Sequence, residues 1–301
     1  MNTNRELSSR KREWLRMLEF VVHPVTFRNP FERTSQPLRT VAIIPARYDA
    51  TRLPGKPLAD IAGRPMIEHV YRRAAAARGV DAVVVATDDP RIAAAIEGVG
   101  GIVRMTRGDH RSGTDRLAEV AADLDCEIVL NVQGDEPLID PATVEAVIAP
   151  LVEDPWLDMS TACTPLPHAA DYDNPNVVKV VINLAGNALY FSRSPLPHVR
   201  GPAKAGPHDS THVGSGFTHV GAGFSRPMIY KHLGIYGYRR TFLQTFAALA
   251  PTPLELAESL EQLRALEHGY RIRTVVTQFD SIGVDTPEDL ERVRHQLAAR
   301  A

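Results

Sequence analysis

Three cations recur at spacings of five and four in the segment Ala46-Arg-Tyr-Asp-Ala-Thr-Arg-Leu-Pro-Gly-Lys56: Arg47, Arg52 and Lys56. Guanidinium forks hold phosphate oxygens bidentately and an ammonium acts as a point charge, so the set suits a polyphosphate; a solvated basic loop is the plainer alternative. The segment is neither a Walker A loop nor a G-x-G-x-x-G turn, so ATPase and dehydrogenase chemistry lose support. In Asn131-Val-Gln-Gly-Asp-Glu-Pro137, the Gly-Asp step turns the backbone sharply and aims the Asp135 carboxylate outward, as a ligand for a divalent metal would be. Glu136 is either a second ligand or a residue facing water. In Ser281-Ile-Gly-Val-Asp-Thr-Pro-Glu-Asp-Leu290, Thr286 has the features of a helix N-cap, with Pro287 at N1 and Asp289 at N3. Asp285, just ahead of that cap, either complements the helix dipole or supplies a second carboxylate to the same metal. Mg²⁺ favours one or two carboxylates together with phosphate oxygens, so the three segments point to nucleotidyl or phosphoryl transfer.

These segments need elements that bring them to one edge, and the hydrophobic pattern supplies them. Apolar runs at Thr40–Pro45, Asp81–Thr87, Gly101–Met105 and Glu127–Gln133 predict buried strands. Helical patterns fall between them at Pro65–Arg78, with Met66, Val70 and Ala74 on one face, at Pro90–Gly98 and at Gly113–Asp123; a last helix is expected over Glu288–Ala298. Strand–helix units of about 30 residues imply a parallel, doubly wound α/β sheet with right-handed crossovers. Ligands of such sheets sit at the carboxyl ends of the strands, where the basic loop and Asp135 fall.

The 301 residues carry 34 Lys+Arg against 36 Asp+Glu, a net charge of −2 with histidine neutral. That balance argues against a general nucleic-acid binder, and no run of 18 apolar residues exists to span a membrane. With Cys126 and Cys163 as the two cysteines, a disulfide scaffold and a thiolate metal site are both disfavoured. The N-terminal stretch lacks the apolar core of a signal peptide, so a cytoplasmic enzyme is expected. Residues 1–38 carry a charge of +3 and read as a flexible extension with an amphipathic stretch around residues 10–22; residues 39–298 read as the functional domain. Residues 198–227 contain a tandem heptad, Thr211-His-Val-Gly-Ser-Gly-Phe217 and Thr218-His-Val-Gly-Ala-Gly-Phe224, which reads as a duplicated, glycine-rich insertion. His208, His212 and His219 invite a metal reading, but duplication is the simpler one.

In order, the blocks IIPARY and TRLPGKPL, ATDD, MTRGDHRSGTDRLAEV, NVQGDEP, NPNVVKVV, ALYFSRSPLP, KHLGIYGYR, SLEQLR and GVDTPEDLERV resemble those of the 3-deoxy-manno-octulosonate cytidylyltransferases over about residues 40–298. The resemblance implies a Rossmann-like nucleotide-diphospho-sugar transferase fold, with a mostly parallel central sheet and a smaller dimerisation and sugar-binding subdomain at about 155–236. It implies coupling of CTP to the acidic sugar 3-deoxy-D-manno-octulosonate (KDO), giving CMP-KDO and pyrophosphate for lipopolysaccharide synthesis. It also implies Mg²⁺ as cofactor and a homodimer. Carried over position by position, Arg47, Arg52 and Lys56 would hold the CTP phosphates. Arg107, Ser112 and Gly113 would lie near the cytosine, with Thr87 and Asp88 close by, and Asp135 and Asp285 would bind Mg²⁺. Gln133, Arg193, His232, Tyr236, Glu261 and Gln262 would line the sugar pocket, Arg193 pairing with the sugar carboxylate; Lys56, Arg47, Asp135 and Asp285 would carry catalysis.

Taken without the resemblance, Arg193 is a surface ion-pair partner, His232 and Tyr236 are core or interface residues on one face of a strand, and Glu261 and Gln262 are solvated surface on a helix opened near Pro253. The chain departs from the family at Asp49 and Ala50, where alanine then serine is usual; the extra carboxylate beside the phosphate site implies weaker CTP binding. Two alternatives stay open: the same chemistry on another sugar acid, such as sialic acid or an amino analogue of KDO, and a catalytically silent dimeric binding protein.

Overall fold

A computed structural model describes residues 38–49, 53–166, 168–198 and 229–299. The amphipathic stretch at 10–22, His208, the heptads with His212 and His219, and Arg52 lie outside the described residues.

The four expected strands form β1 (Leu38–Ala46), β4 (Ala82–Thr87), β5 (Ile102–Met105) and β6 (Cys126–Asn131), with the small hairpin β2 (Asp60–Ile61) and β3 (Arg64–Pro65) between β1 and β4. The later strands are β7 (Met159–Pro165), β8 (Lys179–Ile182), β9 (Ala188–Ser192), β10 (Tyr230–Arg239) and β11 (Ile272–Val276). Helices are α1 (Met66–Ala75), α2 (Pro90–Glu97), α3 (Gly113–Ala122), α4 (Pro141–Glu153), α5 (Arg240–Ala248), α6 (Pro253–Glu258), α7 (Gln262–Glu267) and α8 (Pro287–Ala298). Helix α1 stops three residues short of the expected Arg78: Ala76 N and Ala77 N donate to the carbonyls of Arg73 and Ala74 in tight three-residue turns, and Gly79, with φ +83°, then leads towards β4.

The main sheet runs β11-β7-β10-β6-β1-β4-β5, and β8 and β9 branch from β10. Every neighbour along that path pairs in parallel except β10, which is antiparallel to β6 and β7. The protein is therefore a mixed α/β molecule with a mostly parallel central sheet.

From Val41 to Ala46, β1 is apolar at every position, and its packing shows why. Val41 and Ile43 pack on one face with Leu117, Val129, Phe242 and Phe246; Ala42 and Ile44 pack on the other with Ile67, Val70, Val144 and Ile148. Alternate side chains point to opposite faces of a strand, and helices cover both faces here, so no position is free to be polar.

Two glycines are set by close approach. A Cβ on Gly134 would stand 2.8 Å from the Pro45 carbonyl oxygen, and one on Gly237 would stand 2.6 Å from Ser160 Oγ and 2.7 Å from Leu151 Cδ1. The first lets the turn after β6 press on the end of β1, which brings the Asp135 loop against the basic loop. β10 carries an irregularity against β7: Leu233 pairs with Ala162, yet Tyr236 pairs with Thr161. Two extra residues keep the alternation of faces, so His232, Tyr236 and Tyr238 remain on one side.

Candidate active site

Lys56 stands between two aspartates. Its Nζ donates to Asp135 Oδ2 at 2.7 Å and to Asp285 Oδ1 at 3.2 Å. Its side chain is 15% exposed, while those of Asp135 and Asp285 are 32% and 49% exposed. Burial pulls the Lys56 ammonium down, but the two carboxylates outweigh it and hold the group above its ordinary range. Local structure explains the meeting of residues 79 and 229 positions apart. The basic loop closes as Gly55 N donates to Tyr48 O at 3.0 Å; Gly55, at φ +71°, rests on the Tyr48 ring edge and leads into the 3-10 turn that presents Lys56. Val284 N donates to Asp135 O at 2.8 Å, stitching the third loop to the second. Thr286 caps α8 in a reciprocal box with Asp289, and Asp289 Oδ2 also accepts from Asp285 N at 3.1 Å.

The donor set fits a hard divalent cation. One oxygen from each aspartate already meets a single positive point, both residues are partly exposed, and the donors are all oxygen. No group of three His, Cys, Asp or Glu suitable for a metal occurs among the described residues, so phosphate oxygens and water would have to complete a shell.

Glu136 sits beside this triad. Although part of it reaches solvent, burial of its carboxyl pushes it up to about 7, with Asp135 and Asp280 adding repulsion against the opposing pull of Ser281 and Lys231.

Arg47 lies on the far side of the basic loop. Its Nη2 donates to the carbonyls of His110 at 2.5 Å and Ser112 at 3.2 Å. Ser112 caps α3 in a second box with Asp115, and Gly113 opens the helix. Thr87 is buried at the end of β4, where its Oγ1 accepts from Asp89 N at 3.2 Å. Asp88 pairs with Arg116 at 3.1 Å. Arg107 is 71% exposed and lies 3.7 Å from both Asp109 and Glu119.

A second group gathers where β6 and β10 meet. Gln133 Nε2 donates to Asn131 Oδ1 at 3.2 Å, and Asn131 is paired with Tyr236 across the strands. Tyr236 stacks obliquely on His232 at 5.4 Å, and burial together with the charges of Glu261 and Glu136 drives its hydroxyl far above the ordinary range. His232 contacts Thr161 Oγ1 through Nε2 at 3.0 Å, and burial pushes the imidazole down to about 3, so it is neutral.

Glu261 and Gln262 are not solvated surface. α6 ends at Ser259 with φ +52°, and α7 begins anew, so the pair turns inward instead of continuing along one exposed helix. Thr114 Oγ1 donates to Glu261 Oε2, burial raises the Glu261 carboxyl, and Gln262 Nε2 is buried with no hydrogen-bond partner among the described residues. Such an orphan donor costs free energy unless a ligand satisfies it. A cleft of about 450 Å³ is lined by Ser112, Asp115, Glu255, Ser259, Glu261 and Arg264.

Arg193 is spent on the turn that delivers this pair. It donates through Nε to Glu258 O at 2.9 Å, through Nη1 to Pro175 O at 3.0 Å and through Nη2 to Ser259 O at 3.5 Å. Sequence reasoning missed His110, Thr114, Arg116 and Glu119. The sequence predicts a helix over Gly113–Asp123, but nothing in its pattern tells which polar residues turn towards the loop.

The chain matches the cytidylyltransferase family model over residues 41–272. It is 56% identical over 260 residues to the 3-deoxy-manno-octulosonate cytidylyltransferase of Geobacter sulfurreducens, covering 86% of this chain and 100% of that protein. It is 53% identical over 261 residues to the enzyme of the same name from Geobacter metallireducens, covering 87% and 98%. Among solved structures it resembles a CMP:2-keto-3-deoxy-manno-octonic acid synthetase complexed with CTP, with a TM-score of 0.77 and 45% identity over 87% of this chain and 100% of that one.

Proposed function

Because the chain belongs to the cytidylyltransferase family, with 3-deoxy-manno-octulosonate cytidylyltransferases as its relatives, we propose that it transfers CMP from CTP to KDO. The C2 hydroxyl oxygen of the sugar bonds to the α-phosphorus, the bond from that phosphorus to the bridging oxygen breaks, and pyrophosphate leaves with release of the hydroxyl proton. The observation that carries this reading is the Lys56–Asp135–Asp285 cluster at the carboxyl edge of the parallel sheet.

In this reading Arg47, Arg52 and Lys56 bind the triphosphate, and Arg107, Ser112 and Gly113 border the cytosine with Thr87 and Asp88. Asp135 and Asp285 hold Mg²⁺, which when bound neutralises charge on the phosphate oxygens. Lys56 keeps the two carboxylates together and adds a positive charge at the edge where the leaving group departs. Gln133, His232, Tyr236, Glu261 and Gln262 bind the sugar hydroxyls, the neutral imidazole of His232 offering one donor and one acceptor. Arg193 reaches the sugar carboxylate only by giving up a carbonyl partner, so its part in this reading is to hold the 258–261 turn as well as to attract an anion.

The protein works as a cytoplasmic homodimer in this reading, the excursion at about 155–236 forming the dimerisation and sugar-binding part. Among the described residues no helix is long and apolar enough to cross a membrane. The decisive experiment is pyrophosphate release with CTP and Mg²⁺, offering KDO and N-acetylneuraminate in parallel. Release with KDO alone is expected; release with N-acetylneuraminate alone would transfer the reading to another sugar acid, and silence with both while CTP binds would favour a binding protein.

A further inference from the structure

The loop from Thr106 to Ser112 is held from behind by α3. Glu119, two turns into that helix, accepts from Arg107 N through both carboxylate oxygens, at 3.3 and 3.4 Å. The same carboxylate is hydrogen-bonded to His110 Nε2. His110 is buried although Asp109 and Arg111 on either side are exposed, so the loop turns its one imidazole inward. Its carbonyl oxygen receives Arg47 Nη2. The ring and the carbonyl of one residue thus join the helix to the basic loop.

This linkage constrains a planar group. Nη2 of Arg47 meets two carbonyls, those of His110 and Ser112, which together fix the tilt of the guanidinium. Nε and Nη1 have no partner among the described residues, so a second edge of the fork remains for an anion. A fork already fixed in plane loses less freedom when it binds a phosphate than one that swings on four torsions.

We infer that Glu119 and His110 are positioning residues for the nucleotide, setting the Arg47 guanidinium through the His110 carbonyl so that its open edge meets a phosphate oxygen of CTP. The inference rests on the proposed role of Arg47 as a phosphate ligand. Neither residue touches substrate in this arrangement; both act on the nucleotide through Arg47.

The test is a double-mutant cycle read by CTP binding in calorimetry with Mg²⁺ present, alongside KM and kcat. Glu119→Ala is expected to weaken CTP binding about tenfold while KM for KDO stays within about twofold, and Glu119→Gln, which keeps an acceptor for His110, should recover most of the loss. Arg47→Ala should also weaken binding, and adding Glu119→Ala to it should cost little more, because the second change acts through a group already gone. Additive losses, or a folded Glu119→Ala protein with normal CTP affinity, would overturn the inference while leaving the role of Arg47 intact. Normal CTP affinity in Arg47→Ala would instead remove the reading beneath it. Should Glu119→Ala fail to fold, the same cycle with Glu119→Asp, one methylene shorter, should give a smaller but still non-additive loss, and additivity there would count equally against the inference.

Discussion

Among single residues, Lys56 has the sharpest consequence. It balances Asp135 and Asp285, so a Lys56→Met change leaves two carboxylates facing one another without their shared cation. Loss of a charged group at the reacting phosphates costs about a hundredfold or more in kcat/KM, and steady-state pyrophosphate release should show it; near-normal turnover would contradict the role assigned to the ammonium. Asp49 is the residue of doubtful benefit. It is exposed, and Arg91, whose guanidinium carbon lies 3.3 Å from the Tyr48 ring centroid, feels its charge while also pairing with Asp89 at 2.6 Å. The neighbouring cation offsets part of the repulsion, so Asp49→Ala should lower KM for CTP by only about two- to threefold, within the range of an exposed charge pair. An unchanged KM would show that the carboxylate is fully offset.

At the level of elements, caps do more than end helices. The box at Thr286 and Asp289 starts α8 and also fixes the Asp285 backbone. Thr286→Ala should cost about 1 kcal/mol of stability, lowering the melting temperature by roughly 2–4 °C, and should raise KM for CTP as well. Thr286→Ser should restore both quantities. A stability loss with unchanged KM would mean that Asp285 holds its place by the Val284–Asp135 hydrogen bond alone. The cap was legible in the run Thr-Pro-Glu-Asp because capping is local chemistry. The break between α6 and α7 was not: Ser259 adopts its left-handed conformation where Arg193, from a distant strand end, binds the carbonyls of Glu258 and Ser259.

For the molecule as a whole, His232 links the site to acid stability. Phe191 meets it edge-on at 4.9 Å and Tyr236 at 5.4 Å, and burial holds its pKa near 3 against an ordinary 6.5. The folded state therefore disfavours the imidazolium. Stability is fully present above about pH 6.5 and is lost as pH falls towards 3, by at most about 1.4 kcal/mol per pH unit from this group. Melting temperatures between pH 8 and pH 5 should fall more steeply for the unaltered protein than for His232→Gln. Parallel curves would show that the imidazole accepts its proton without penalty.

What the chain determined unaided is what depends on near neighbours: the alternation of strand and helix through Asn131, the turn at Gly134, the cap at Thr286, and the carboxylates and cations at the ends of the first strands. Each follows from hydrophobic period, backbone freedom or a contact within a few residues. The tertiary structure alone decided which of those groups meet. It set Lys56 between residues 79 and 229 positions away, turned Glu261 and Gln262 inward, placed antiparallel β10 among parallel strands, and engaged Arg193 with backbone carbonyls. Those outcomes depend on the sheet order and on helices packing across it, and the spacing of residues along one segment holds no record of a partner in another.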